Sequence, residues 1–346
     1  MINFHNSKLI STYIHYLPKN EGTNQPQYSN QEIILNESFT EAIYKMLQSN
    51  FKLPTYYSFD YHNEDVILNP LYNYISNSFD DIKSLLENSI KTAKLLFEKS
   101  KNSFIEGGFL LFGVIEDILV EDEITRGVFI IKLEEKTNIF DIDLSPHNIN
   151  QIIEKTGYSL EKPHKLCLIL DIDRDNGYKI LQSDPKNKVE AEYWFKEFLF
   201  LKPYSDKHYF TNDYIKLTVN FAKKSGVYKE DETVDKIDLC NKTKTYFSNN
   251  EHFVEDDFLD NVFEDSRKKI DFLEFKNNVE ADSNKTYATD FEISETMVNK
   301  NNKIFKSIIK LDKNFHIYIH GNREKIERCV DPDGTKYYKI YFDNET

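Results

Sequence analysis

Three groups of side chains in this sequence have types and spacings that could do chemistry. Asp171, Asp173 and Asp175 open the stretch Asp171-Ile-Asp-Arg-Asp-Asn-Gly177 like a calcium loop, with carboxylates at alternate positions where a hard cation wants oxygen ligands. The pattern then departs. Such a loop needs glycine at its sixth position and glutamate at its twelfth, and Asn176 and Gln182 stand there. A β-turn on Asn176-Gly177 between two strands accounts for the same residues. Glu134-Glu-Lys136, with Glu116-Asp117 upstream, has the loose form of a nuclease site, acidic metal ligands followed by a lysine, although a solvated strand end in so acidic a segment gives the same match. His316 and His320 lie four apart in a strand pattern, about 13 Å from each other, too far to share one ion. Cys167, Cys240 and Cys329 are odd in number and show neither CxxC nor Cys/His spacing, which predicts free thiols in a reducing cytoplasm. There is no G-x-S-x-G elbow, GxGxxG or Walker A pattern. The residues alone therefore nominate no catalytic, cofactor-binding or metal-ligating set.

Charge is the stronger signal. The 346 residues carry 44 Lys plus Arg against 58 Asp plus Glu, a net charge of -14 that argues against a uniformly basic nucleic-acid binder. Its distribution is uneven. Residues 101–150 hold 4 basic and 10 acidic side chains and residues 251–300 hold 6 and 14, so these two stretches account for the deficit. Residues 201–250 and 301–346 each hold 9 basic against 7 acidic, and any phosphate-binding surface belongs there. If DNA is contacted, Lys216, Lys223 and Lys224 in the first of these stretches, with Lys186, Lys188 and Lys196 just before it, are the first candidates, though lysines on amphipathic helices commonly form an ordinary solvated face. Between Glu251 and Asp265 no Lys or Arg occurs. Glu255, Asp256, Asp257 and Asp260, with Phe258 as an apolar anchor, are the candidates for docking a basic protein, unless the phenylalanines face the core.

The elements that must position these groups read as α+β. The composition, 40% hydrophobic with 26 Phe and 22 Tyr, can support a packed core, and the most apolar run, residues 107–115, is too short to span a bilayer as a helix. The amino terminus lacks the charged and apolar regions of a secretory signal. Residues 2–16 and 31–35 read as strands. Ser78-Phe-Asp-Asp81 resembles a capping box before a helix whose apolar stripe runs through Leu85, Leu86, Ile90, Ala93 and Phe97. Short β-rich runs at 109–115, 128–133, 140–144 and 166–172 suggest an antiparallel meander. Phe109, Leu111, Ile130, Leu168 and Leu170 are expected in one sheet against Leu85, Leu86 and Ile90. After Asp184-Pro185 the pattern turns helical, at 191–201, 212–224 and 233–243, and it ends in a hairpin around Asp333-Gly334. These signals predict an α+β domain over 1–185 and a helical domain with a terminal β-hairpin over 186–346.

Several blocks in order resemble the bacterial nucleoid-associated protein family of the YejK type. They are Gly107-Gly108-Phe-Leu-Leu-Phe112, Asp141-Ile-Asp143 with Pro146-His-Asn-Ile-Asn150, Tyr193-Trp-Phe-Lys-Glu-Phe-Leu199 and Arg328-Cys-Val-Asp-Pro332, together spanning about residues 105–345. Members often carry an Arg- and Gly-rich stretch before the aromatic helix, where this chain has only Lys186 and Lys188. The resemblance implies a cytoplasmic, nucleoid-located, non-enzymatic protein without cofactor. It would associate with DNA directly or indirectly and act with DNA topoisomerases or another basic DNA-handling protein, with no membrane and with a homodimer among the assemblies allowed. Two other functions stay open on the residues themselves: an acidic adaptor, including one in defence against foreign DNA, and a metal-dependent nuclease using Glu134.

Overall fold

The computed structural model describes residues 2–20, 24–52, 55–61, 65–101, 105–142, 152–161, 165–184, 193–228, 233–283, 285–303, 305, 308–312, 314–318 and 325–344. The fold is α+β, in two units, Met1–Tyr204 and Ser205–Thr346.

The first unit runs β1 (Ile2–Asn3), β2 (Lys8–Leu17), β3 (Gln27–Tyr28), α1 (Glu37–Asn50), β4 (Tyr57–Phe59), α2 (Pro70–Asp80) and α3 (Leu85–Lys99). It continues through β5 (Gly108–Val120), β6 (Glu123–Leu133), β7 (Lys136–Ile142), β8 (Ile152–Tyr158), β9 (Lys165–Leu170), β10 (Lys179–Ser183) and β11 (Leu201–Pro203). An antiparallel sheet has the order β11-β4-β10-β9-β6-β5-β2-β3, with β1 added on β5, while among the described residues β7 and β8 form a separate two-stranded pair. Its two borders are short, three residues at β11 and two at β3.

Both faces of this sheet are covered, which is why β9 reads Lys-Leu-Cys-Leu-Ile-Leu without polar alternation and is buried throughout. Leu110, Phe112, Ile130, Cys167 and Ile169 share a core with Leu71, Ile75 and Phe79 of α2 and Leu85, Ala93 and Leu96 of α3. Leu111, Phe129, Ile131, Leu166, Leu168 and Leu170 point the other way, to a second core with Ile43, Met46 and Leu47 of α1. The expected single core is thereby divided. Ile130 lies on the α3 side, Leu111, Leu168 and Leu170 lie on the α1 side, and Leu86 and Ile90 are only half-buried.

Other boundaries also differ from the sequence pattern. Ser78 lies inside α2, its hydroxyl donating to Tyr74 O at 2.8 Å, and Asp81 caps the 3-10 turn that leads into α3. Residues 31–35 form no strand, and Ile34 is 92% exposed. The aromatic block expected as an α-helix is a π-helical turn, Tyr193–Phe198, followed by β11. Tyr193, Trp194, Phe198 and Leu199 belong to the first core, so the chain divides after Tyr204 rather than near residue 185.

The second unit contains α4 (Lys207–Lys224), α5 (Thr233–Asn249), β12 (His252–Val254), α6 (Glu255–Val262), α7 (Ser266–Ser283), β13 (Asp290–Glu292) and α8 (Glu295–Lys300). Two hairpins follow, β14 (Ile308–Leu311) with β15 (Phe315–Tyr318), and β16 (Ile326–Val330) with β17 (Lys336–Ile340). The core here is built from rings. Phe253 stacks on Phe247 and Phe291, and Tyr214, Phe258 and Phe272 close around them. Ile309 and Ile326 seat the hairpins with Val234 and Ile237 of α5.

Candidate nucleic-acid interface

Helix α4 positions the one group of candidate lysines that the fold brings together. Asp206 caps it by accepting the Tyr209 N–H at 2.9 Å, and most of its circumference is buried, through Thr211, Tyr214, Ile215, Leu217, Thr218, Val219, Phe221 and Ala222. What is left for solvent is a narrow stripe. Lys216, Asn220, Lys223 and Lys224 recur at i, i+4, i+7 and i+8, all exposed, and spread three cations over about 12 Å of helix. Among the described residues, none of the three lysines has a carboxylate within ion-pair distance. Two further effects locate them. Burial holds the Lys300 ammonium of α8 below the usual lysine range, and the charge of Lys216 adds to that depression. Burial pushes the Cys240 thiol up to about 11, with the Lys223 charge acting in the opposite sense.

The remaining lysines are elsewhere. Lys196 is exposed on the π-helical turn of the first unit, and Lys186 and Lys188 lie outside the described residues. Lys300 was missed by the sequence reading, because a lone lysine at a short helix end carries no signal until the fold sets it near Lys216.

The acidic segment behaves oppositely. Phe253, Phe258 and Phe263 are buried, at 0%, 0% and 3% exposure, so Phe258 is a core residue and not an exposed anchor. Glu255 turns inward, accepting from Tyr214 Oη at 2.6 Å and from Lys276 Nζ at 2.5 Å. Burial and that carboxylate raise the Tyr214 phenol well above its usual range. Asp257 accepts from Tyr246 Oη at 2.8 Å, and burial together with this bond pushes the Tyr246 phenol up to about 12. Asp260 pairs with Lys269 and Glu264 with Lys242; Asp256 is exposed. A run without cations in sequence is thus matched by lysines of α5 and α7 in space.

A family model described as nucleoid-associated protein YejK matches residues 14–346. The chain belongs to this nucleoid-associated protein family. No curated protein matches it significantly. The match begins at Ile14, within β2 and far upstream of residue 105, so it takes in β3, β4 and helices α1 to α3 of the sheet unit. In this nucleoid-associated chain Asp141 and Ile142 of the central block end β7 and the rest of that block falls outside the described residues, whereas the aromatic block forms the π-helical turn with Tyr193, Trp194 and Phe198 buried, and the final block is the turn side of β16.

The other chemical candidates resolve into structure. The carboxylates of the calcium-like loop diverge: Asp171 holds Arg126 at 2.9 Å and Asp173 accepts from Tyr204 Oη at 2.9 Å. The β9–β10 connection is not the expected β-turn but a 3-10 turn, Arg174–Asn176, closed by Gly177 at φ +92°, whose backbone lies so near Phe59 that a Cβ would meet Phe59 O at 2.6 Å. Glu134 does not face solvent with Lys136. It lies between two buried ammonium groups, Lys132 at 2.8 Å and Lys165 at 3.6 Å, and Lys165 also binds both oxygens of Asp184 at 3.0 Å, while Lys132 donates to Tyr193 Oη at 3.0 Å. Ammonium groups occupy the positions that a metal ligated by Glu134 would need. Among the described residues no group of three or more His, Cys, Asp or Glu could hold a metal ion. The lone lysines in the apolar strands β6 and β9 were a visible signal, but their partners come from distant segments.

Proposed function

We propose that this protein works at the nucleoid, in the cytoplasm, by weak and sequence-indifferent contact with DNA through Lys216, Lys223 and Lys224 of α4. The observation that supports this reading is that these lysines have no carboxylate partner among the described residues and stand on one exposed stripe, while Glu255 and Asp260 of α6 are matched by Lys276 and Lys269. Three contacts on an otherwise acidic chain are few. Affinity then depends on counterion release and falls with salt, with a log-log slope contribution of about 0.9 per phosphate contacted. Such a weak anchor suits a protein whose effect is delivered through a DNA-topology enzyme bound to the same DNA.

The test is binding of the full chain to a duplex of random sequence across a salt series, for wild type and for the triple change Lys216→Ala, Lys223→Ala, Lys224→Ala. The slope should drop by about two to three units. Unaltered affinity and slope in a folded triple variant would overturn the α4 assignment. Capture from lysate with and without nuclease treatment then separates partners bridged by DNA from partners held directly.

A further inference from the structure

The second unit carries a groove of about 710 Å³ between α5 and the junction of α6 with α7, within the range of ligand pockets. Asp235, Asp238, Lys242 and Asn249 lie along its α5 wall, with Glu264 and Asp265 opposite. Asp235 to Asn249 covers about 21 Å of helix, room for about six residues of extended chain. Four asparagines also line the groove, side chains that can hydrogen-bond both N–H and C=O groups of a passing backbone. Leu239, Val262 and Phe263 contribute the apolar floor on which an aliphatic stem can lie.

The groove already holds cations of its own chain in two binding modes. Lys242 reaches across it, its ammonium 2.6 Å from Glu264 and 3.0 Å from Asp238. Lys268 sits 4.5 Å over the ring of Tyr228. Carboxylate pairing and ring stacking are both modes in which arginine performs better than lysine, through its planar, bidentate guanidinium. Phosphate is repelled by the four carboxylates, and a divalent ion lacks a cluster of ligands among the described residues. We infer that this groove binds an extended, arginine-bearing segment of a partner protein, whose guanidinium displaces Lys242 from Glu264. The site is distinct from the α4 lysines and is tested without DNA, so its failure leaves the proposed DNA contact untouched.

The experiment measures fluorescence anisotropy of labelled Ala-Arg-Ala-Arg-Ala-Arg-Ala, and of the same peptide with glutamine for arginine, on the full-length chain. Wild type should bind the arginine peptide in preference, less tightly at high salt. Asp238→Asn with Glu264→Gln should weaken it about tenfold, and Asp256→Asn, outside the groove, by less than about 1.5-fold. Lys242→Gln should strengthen it about threefold, because the carboxylates lose their internal competitor, a gain that damage to the fold does not produce. No preference for arginine over glutamine, equal losses in the groove and Asp256 variants, or unchanged or weaker binding by Lys242→Gln would each overturn the proposal. If the double variant does not fold, the Lys242→Gln result decides.

Discussion

The two units handle charge in opposite ways. In the first, Lys132, Lys165, Glu134 and Asp184 are sealed inside, each side chain 5% exposed or less, at the ends of strands β6, β9 and β10. In the second, pairs such as Lys269 with Asp260 and Lys242 with Glu264 keep the carboxylate in solvent, Lys276 with Glu255 being a more buried exception. Removing charge from water is costly, and a buried group left without its partner remains uncompensated. The first unit therefore uses charge to specify where strands end, and the second keeps it where it can be exchanged with another molecule.

The largest effect follows from breaking the buried cluster. Lys165→Met should cost about 3 to 5 kcal/mol, since it strands Asp184 in the interior; a urea midpoint within error of wild type would mean that the cluster is wet. Next is the division of the sheet core. Leu96→Ala, fully buried on α3, should cost about 2 to 5 kcal/mol, and half-buried Leu86→Ala clearly less. Equal losses would contradict the face assignment.

The third prediction concerns His15, also in the first unit and 1% exposed. It accepts the Ser29 N–H at Nδ1 and donates from Nε2 to Ser89 Oγ at 2.9 Å, so the neutral ring is satisfied and burial lowers its pKa from 6.5 to about 4. The unfolded chain binds the proton more readily. Stability from the neutral ring is thus complete above pH 6.5 and is lost as pH falls towards 4, up to about 3 kcal/mol. Comparing wild type with His15→Gln at pH 7.5 and 5 isolates this from the carboxylates, and the gap between the two proteins should shrink in acid. A parallel shift of both would show no linkage at His15. The smallest effect belongs to the second unit: Lys269→Ala, removing the surface pair with Asp260, should cost about 0.2 to 1 kcal/mol and less in high salt.

The strands were legible because they are runs of apolar, β-rich residues, and the closing hairpin because Asp333-Gly334 supplies the turn, Gly334 at φ +90°. The facing of Leu111 and Ile130 was not. A sheet covered on both sides erases the polar alternation that reports direction. Helix α2 carries its own start signal in the sequence, Asn69 as cap with Pro70 in the first turn. Glu255 and Asp260 looked like free charge because Lys276 and Lys269 sit on the next helix, and a linear count omits neighbours that only folding supplies. Lys216, Lys223 and Lys224 were legible as a set because their spacing is helical.

The short outer strands of the main sheet bear on crowding. A long, flat, uncovered strand is a template on which another chain can add its own backbone. Here the long strands β5 and β6 are inside and the β11 border offers only three residues, whereas β3 covers just His15 and Tyr16 of β2, and the coil after it adds one bond, Ile33 N–H to Thr12 O at 2.8 Å. Copies gathered at high local concentration along a polymer would meet each other constantly. At the β11 border they would find little to polymerise on, so the outer side of β2 before His15 is where this sheet is more open to a second copy.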